Sequence, residues 1–306
     1  AEPADFFRRL VRDAPVWRVP GTDLFIVSGF DAVTEAANRV ADFSSNLRAI
    51  LFRNDAGEPE LLPFEAGEGA DTLATADPPV HTLHRSTVFP ELVNKRMQAL
   101  RPDIEALADQ CIDAALGAET VEVMGTIANA VPIRVVSKLI GFRSEDPDKL
   151  LAAAFDSTAM FAASIPVSEI FGAMERSADV FFWISDQLDA ALESGGEGIL
   201  GVIAAAVTDE TLSRDQGLVI MHTLLSAGGE STTALLGNAI HLLARDTALQ
   251  ERLRSNPDLI VPFIEEVLRL DSPFRYQFRS ATRTTELKGV EIPEGATLAM
   301  FWAAAN

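Results

Sequence analysis

Apolar positions recur at three- and four-residue intervals through most of the middle of the chain. The stretches 100–116, 127–141, 147–163, 168–193, 197–207 and 224–244 each carry such a stripe, the signature of helices with one buried face. The segment "PDLIVPFIEEVLRLDSP" adds another, stopped by Asp271-Ser272-Pro273. Strand-like patterns are confined to the two ends. Residues 16–27, "VWRVPGTDLFIV", predict two short strands around a Pro-Gly-Thr-Asp turn, followed by a helix in "DAVTEAANRV". At the other end, "FRYQFRSATRTTELKGVEIPEGATLAMFWAAAN" predicts strands with turns at Lys288–Gly289 and Pro293–Gly295, then the start of a last helix. From Asn46 to Pro79 no periodic element is evident. The pattern predicts a mostly α, α+β fold: a single domain over residues 1–306, with a small sheet contributed by both ends and a large helical body between.

One helix breaks its own pattern. In "LLSAGGESTTALLGNAIHLLA" (224–244), apolar flanks enclose Gly228, Gly229, Glu230, Ser231, Thr232 and Thr233. Glycine costs about 1 kcal/mol relative to alanine inside a helix, and the hydroxyl residues compete for backbone hydrogen bonds. Two readings stand: a helix–helix contact made close by small residues, or a helix opened against a ligand with an acid and a hydroxyl placed for proton transfer. Glu266 and Arg269, three apart in "FIEEVLRL", share a helical face, and Phe263, Val267 and Leu270 crowd that side, so the pair is expected to be partly buried. His81 and Arg85, four apart at a helix start after "ADPP", offer two donors that suit an anionic ligand such as a carboxylate. At their spacing His81 and His84 make a poor metal chelate. Arg279 is a further donor on a predicted strand, with Arg283 the alternative in a more exposed neighbourhood.

Charge narrows the partners. Forty-five acidic against 25 basic residues give a net charge of −20, which speaks against nucleic acid or an anionic membrane. No apolar run of membrane-spanning length and no basic-then-apolar leader is found, so a cytoplasmic protein is expected. The one cysteine, Cys111, excludes an internal disulfide and a clustered thiolate metal site, and it fits a buried structural position on a helix.

Together and in this order, these stretches resemble the cytochrome P450 family, specifically its soluble bacterial class. "AGGEST" is similar to the family's oxygen-binding helix motif, "EVLR" to its Glu-x-x-Arg helix, "ADPPVHTLHR" to the segment that places a His and an Arg on the haem propionates, and "RSATRTTELKGVEIPEGATL" to the strand region that follows. The resemblance implies a P450 fold and a haem b cofactor anchored by His81, Arg85 and Arg279. Ala227 and Gly228 would lie against the distal haem face, and Glu230 and Ser231 would relay protons to the oxygen site. Thr232 matches the following Thr or Ser. Ser231 departs from the family's usual threonine: it keeps the hydroxyl and loses the methyl that restricts its rotamers. Glu266 and Arg269 take a structural role. Substrate would meet the loop 46–79, the region from Phe155 to Ile170 and the segment from Pro273 to Phe278, with Phe155, Met160, Phe161, Phe274 and Tyr276 forming an apolar pocket. Each of these five is equally compatible with ordinary core.

The implied activity is that of a haem-thiolate monooxygenase. It would insert one atom of O2 into a mostly apolar small molecule, with electrons from a ferredoxin and its reductase. A second departure qualifies it. The family's Phe-Gly-x-Gly-x-x-x-Cys loop falls beyond the strand region, the chain ends at "FWAAAN" before it, and Cys111 matches a helix elsewhere. The 306 residues alone would lack the thiolate and be inactive. They then read as part of a longer enzyme, as a truncated product, or as an inert P450-like helper or ligand-binding protein; an unrelated helical bundle is the remaining alternative.

Overall fold

Alternation at both ends of the chain yields one mixed sheet. The computed structural model describes residues 3–54, 56–63, 71, 73–143, 146–161 and 167–306. The sheet takes β1 (Val16–Arg18), β2 (Leu24–Val27) and β3 (Phe43–Ser44) from the N-terminal end. From the C-terminal end come β6 (Gln277–Ala281) and β9 (Thr297–Met300), and the order is β1-β2-β9-β6-β3. The β2–β9 pair is parallel, with Leu24 opposite Thr297 and Val27 opposite Met300; the other neighbours are antiparallel. β2 and β9 are buried at every position, as central strands covered on both faces should be.

Two compact units emerge. The first holds residues 1–49, 63–70 and 235–306, and the second residues 50–62 and 71–234. In the first, the sheet is accompanied by α1 (Pro3–Asp13), α2 (Phe30–Asn38), α10 (Thr247–Ser255), α11 (Ile260–Leu270) and α12 (Trp302–Ala305). Its core is built on Phe25, Val27, Phe43, Leu287, Leu298 and Met300. The hairpin of β7 (Thr285–Leu287) and β8 (Val290–Ile292) turns at Lys288 and Gly289, both at positive φ (50° and 78°). That backbone matches the right-handed twist of the two strands, and Gly289 adopts it without a Cβ penalty.

A charged cluster pins this hairpin to α2. The Arg39 guanidinium donates to Asp42 Oδ2 (2.7 and 2.9 Å), Glu35 Oε1 (2.9 Å), Thr285 Oγ1 (2.6 Å) and the Glu286 carbonyl (2.7 Å). Arg283 Nε donates to Asp42 Oδ1 at 2.7 Å, and Lys288 reaches Glu35 at 3.1 Å. Arg283, the alternative donor in the sequence reading, is thus occupied by an internal carboxylate.

The second unit is helical: α3 (Val80–Val88), α4 (Asn94–Ala115), α5 (Ala130–Ile140), α6 (Pro147–Phe161), α7 (Val167–Ser194), α8 (Gly198–Thr208) and most of α9 (Arg214–Arg245). Its core gathers Ile133, Ile140, Ile184, Leu188, Ile203 and Met221 from α5, α7, α8 and α9. Two predicted boundaries move. α4 begins at Asn94, six residues before the predicted start at 100, which leaves Pro102 well inside the helix. The stretch 46–79 contains a hairpin, β4 (Ala49–Arg53) and β5 (Pro59–Pro63). Its turn is made by Asn54, whose side chain accepts from the backbone of Ala56 and Glu58 (3.0 Å each). Among the described residues no single helix is long and apolar enough to cross a membrane.

Hydrogen bonds from Arg39, and then from Arg283, hold the Asp42 carboxyl below the usual aspartate pKa. A depressed folded-state pKa adds stability above the ordinary value near ~3.9, and that stability is lost as pH falls through the lower folded value. Asp42→Asn should therefore lower the melting temperature at neutral pH. Melting curves across pH should show the gap to the parent closing as the medium is acidified below about pH 4.

Candidate active site

The two readings of the "AGGEST" segment resolve onto two sides of one helix. α9 is α-helical from Arg214 to Arg245, so the expected loosening of its ladder does not occur. The glycines serve packing. A Cβ on Gly228 would come 2.7 Å from Val136 Cγ2, and one on Gly229 would come 3.1 Å from Ile133 Cδ1, both on α5. Thr233 is buried and donates to the Ala128 carbonyl at 3.0 Å, tying α9 to the π-helical turn (Met124–Ala128) before α5. Close helix contact, one of the two sequence readings, is correct for Gly228, Gly229 and Thr233.

The other side of α9 is open. There Ala227 is exposed, and Glu230 and Ser231 are half-buried; Thr232 is also exposed, but helical spacing puts it between the two glycines. Ser231 Oγ donates to the Ala227 carbonyl one turn back at 2.6 Å. This bond fixes the hydroxyl's position and commits its proton, leaving the oxygen lone pairs as acceptors. Upstream, His222 is lodged between Ser157 Oγ (3.4 Å) and the Phe181 ring, and burial pushes its pKa down.

On α3, His81 is half-buried, and Arg85 is exposed with its guanidinium 4.9 Å above the Phe89 ring. No carboxylate pairs with Arg85 among the described residues. The histidine that points inward is His84. It is fully buried, like Val88 one turn on, and neither ring nitrogen has a hydrogen-bond partner among the described residues. Burial pushes its pKa below the ordinary histidine value; Asp71 opposes that shift and His81 adds to it. Nothing in the sequence pattern separates His84 from His81, because only the packing of α3 against α8 decides which one turns in.

In the sheet-bearing unit, Arg279 is half-buried on β6 opposite Leu298, and its Nη1 donates to the Phe278 carbonyl at 2.9 Å. Glu266 and Arg269 form a two-pronged ion pair on α11 (2.6 and 3.0 Å), but their side chains are 53% and 50% exposed. The expected burial of this pair is corrected: Val267 turns into the core, while Leu270 points outward. Tyr276 stacks on Phe301 (5.1 Å) and meets Phe278 edge-on (5.4 Å), so its ring is engaged in unit packing, and burial raises its pKa. Phe155 and Phe274 are exposed. The side chains of Met160 and Phe161, and residues 162–166 and 64–70 of the expected substrate-facing segments, lie outside the described residues. Cys111 is buried on α4, as expected of a structural thiol.

No family model matches the chain. Cytochrome P450 144 of Mycobacterium tuberculosis is 34% identical over a 308-residue alignment that spans 100% of this chain and 70% of the relative. The chain belongs to the cytochrome P450 family. Cytochrome P450 109 of Bacillus spizizenii is 27% identical, over 99% of the chain and 71% of its own length. Among solved structures, cytochrome P450 CREJ in complex with (4-ethylphenyl) dihydrogen phosphate superposes with a TM-score of 0.87 at 21% identity, over 99% of this chain and 76% of that one. CYP109E1 from Bacillus megaterium in complex with testosterone gives 0.84 at 22%, with the same coverage. At these identities the structures establish the P450 fold. The family carries haem, and the donors present fit it: among the described residues Arg85 has no carboxylate to neutralise, His81 lies one turn away, and Ala227 offers a small exposed side chain beside Ser231.

The buried, unpartnered His84 supplies a test of this geometry. An unmade hydrogen bond in the interior costs about 1–3 kcal/mol, so His84→Leu should stabilise the protein by an amount of that order at neutral pH. Because its folded pKa is depressed, stability is present above the ordinary value near ~6.5 and falls as the unfolded chain takes up the proton. Urea midpoints measured between about pH 7.5 and 5.5 should decline more steeply for the parent than for His84→Leu.

Proposed function

We propose that this P450 is a haem-thiolate monooxygenase acting on a mostly apolar small molecule, with electrons delivered by a ferredoxin-type protein and its reductase. The observation that carries this reading is the outer edge of α9, where Ala227 is exposed and Glu230 and Ser231 are half-buried, while the glycines beside them are closed off by α5. A helix needing only close packing has no use for a carboxylate and a fixed hydroxyl on its free side.

In this reading His81, Arg85 and Arg279 would hold the propionates of haem b through charge-assisted hydrogen bonds. When bound, haem would supply activation of O2 and transfer of one oxygen atom to substrate, chemistry that in P450s draws on a cysteine thiolate. At rest the bond to the Ala227 carbonyl holds the Ser231 hydroxyl in place; to relay a proton, the O–H would swing away from that carbonyl and pass its proton onward while Oγ takes another from a donor. Glu230, next in sequence and half-buried, recharges that hydroxyl from solvent. Phe155, Met160, Phe161, Phe274 and Tyr276 are the proposed apolar contacts for substrate. Solved neighbours bound to testosterone or erythromycin B support an organic small molecule as its class. A cytoplasmic location accords with the acidic surface.

A reduced, CO-bound spectrum tests the cofactor reading. In the protein carrying the family's cysteine loop, a Soret band near the position that names the family is expected, and absent haem or a histidine-type band contradicts the reading and favours a ligand-binding helper. For the proton relay, Ser231→Ala should retain haem content and the substrate-induced spectral change. Product formation should fall on the order of 10²-fold, with reducing equivalents diverted to peroxide. Unchanged coupling in that variant removes Ser231 from the mechanism.

A further inference from the structure

α7 presents two apolar faces. One carries Val180, Ile184 and Leu188 into the core of its unit. The other points outward: Phe171 is 75% exposed, Met174 52% and Phe182 67%, with the exposed Ala178 between them. The spacing of these four, at i, i+3, i+7 and i+11, makes a single stripe along the helix. Large apolar side chains such as Phe171, Met174 and Phe182 forgo about 1.5–3 kcal/mol each when left in water, so an apolar stripe of them marks a surface that is covered in use.

A rail of charge runs beside the stripe. Glu175, Asp179, Asp186 and Glu193 fall on one flank of it, all exposed. None of the four has an ion-pair partner among the described residues. The neighbouring base, Arg176, lies on another side and is spent on Asp156 (2.7 and 2.8 Å). We propose that the outer face of α7 docks an amphipathic helix of a partner protein, one whose apolar stripe is bordered by lysines and arginines. Apolar contact along Phe171, Met174 and Phe182 supplies the affinity. The acidic rail supplies register and rejects acidic partners. A second copy of this chain fits poorly, because each copy brings a net charge of −20 and the same rail. An anionic lipid surface is repelled for the same reason.

The test uses the 306-residue protein and three probes: a synthetic helix with a leucine stripe and a lysine flank, its glutamate-flanked counterpart, and anionic phospholipid vesicles. The lysine-flanked helix should bind saturably and more weakly as salt rises. Phe171→Ser/Phe182→Ser and Glu175→Lys/Asp179→Lys should each weaken it by about tenfold or more, the usual loss when interface anchors are removed. The same charge reversal at the exposed Glu119 and Glu251 should leave binding unchanged, which separates the rail from the general acidity of the surface. Equal binding of the two peptides, or equal loss from reversal at Glu119 and Glu251, overturns the proposal. Vesicle binding abolished by Phe171→Ser/Phe182→Ser also overturns it, in favour of a membrane. A concentration-dependent dimer in sedimentation that the same variant dissolves overturns it in favour of a second copy.

Discussion

The approach of α9 to α5 is the constraint on which the rest of the helical unit depends. With no side chain at Gly228, Val136 occupies the space a Cβ would need, and Ile133 sits close against Gly229. Thr233 completes the contact with a buried hydrogen bond to Ala128. One face of a 32-residue helix is thereby fixed against its neighbour. Fixing that face also fixes the other, so Ser231 and Glu230 are held at set positions. The glycines do not open the helix. They let it lie close enough on one side for the other side to be placed reproducibly, which the proposed proton relay would need.

Much of this was legible in the sequence. Alternation at 16–27 and 277–300 gave the strands, and the need to bury both faces of β2 and β9 brought the two ends into one sheet. Helical periodicity gave α5 through α8 within a few residues, because each has a stripe long enough to dominate local propensity, and it gave α9 except for its first ten residues, 214–223. Where the reading failed, the deciding force was tertiary. The hairpin between 49 and 63 is held by the backbone-capping side chain of Asn54, without an alternating apolar pattern to announce it. α4 keeps Pro102 in its interior despite the lost hydrogen bond. The apolar neighbours of Glu266 suggested burial, yet only Val267 among them turns fully inward.

The candidate site was legible as a set of residues and less so as roles. Motif order picked out His81, Arg85, Ser231 and Arg279, but it could not show that Thr233 and the glycines are packing elements or that His84 is the histidine swallowed by the core. The outward stripe on α7 was also present in the spacing of Phe171, Met174 and Phe182. Its meaning depends on which of that helix's two apolar faces the core takes, and only packing decides that. Charge acts in the same local way. The total of −20 says little about where attraction resides, whereas the cluster around Arg39 and Asp42 and the rail on α7 put acidic groups to opposite uses, one internal and one facing solvent.

A double-mutant cycle between Gly228→Ala and Val136→Ala tests the central contact most directly. Alone, Gly228→Ala should destabilise by about 1–3 kcal/mol through overpacking, despite alanine's better helix propensity. Val136→Ala alone should cost about 2 kcal/mol for the lost methyl groups. The pair together should be less damaging than the sum by about 1–2 kcal/mol, because the smaller side chain makes room for the new methyl. Strict additivity, or a Gly228→Ala variant as stable as the parent, would contradict the assignment of this glycine to the α9–α5 contact.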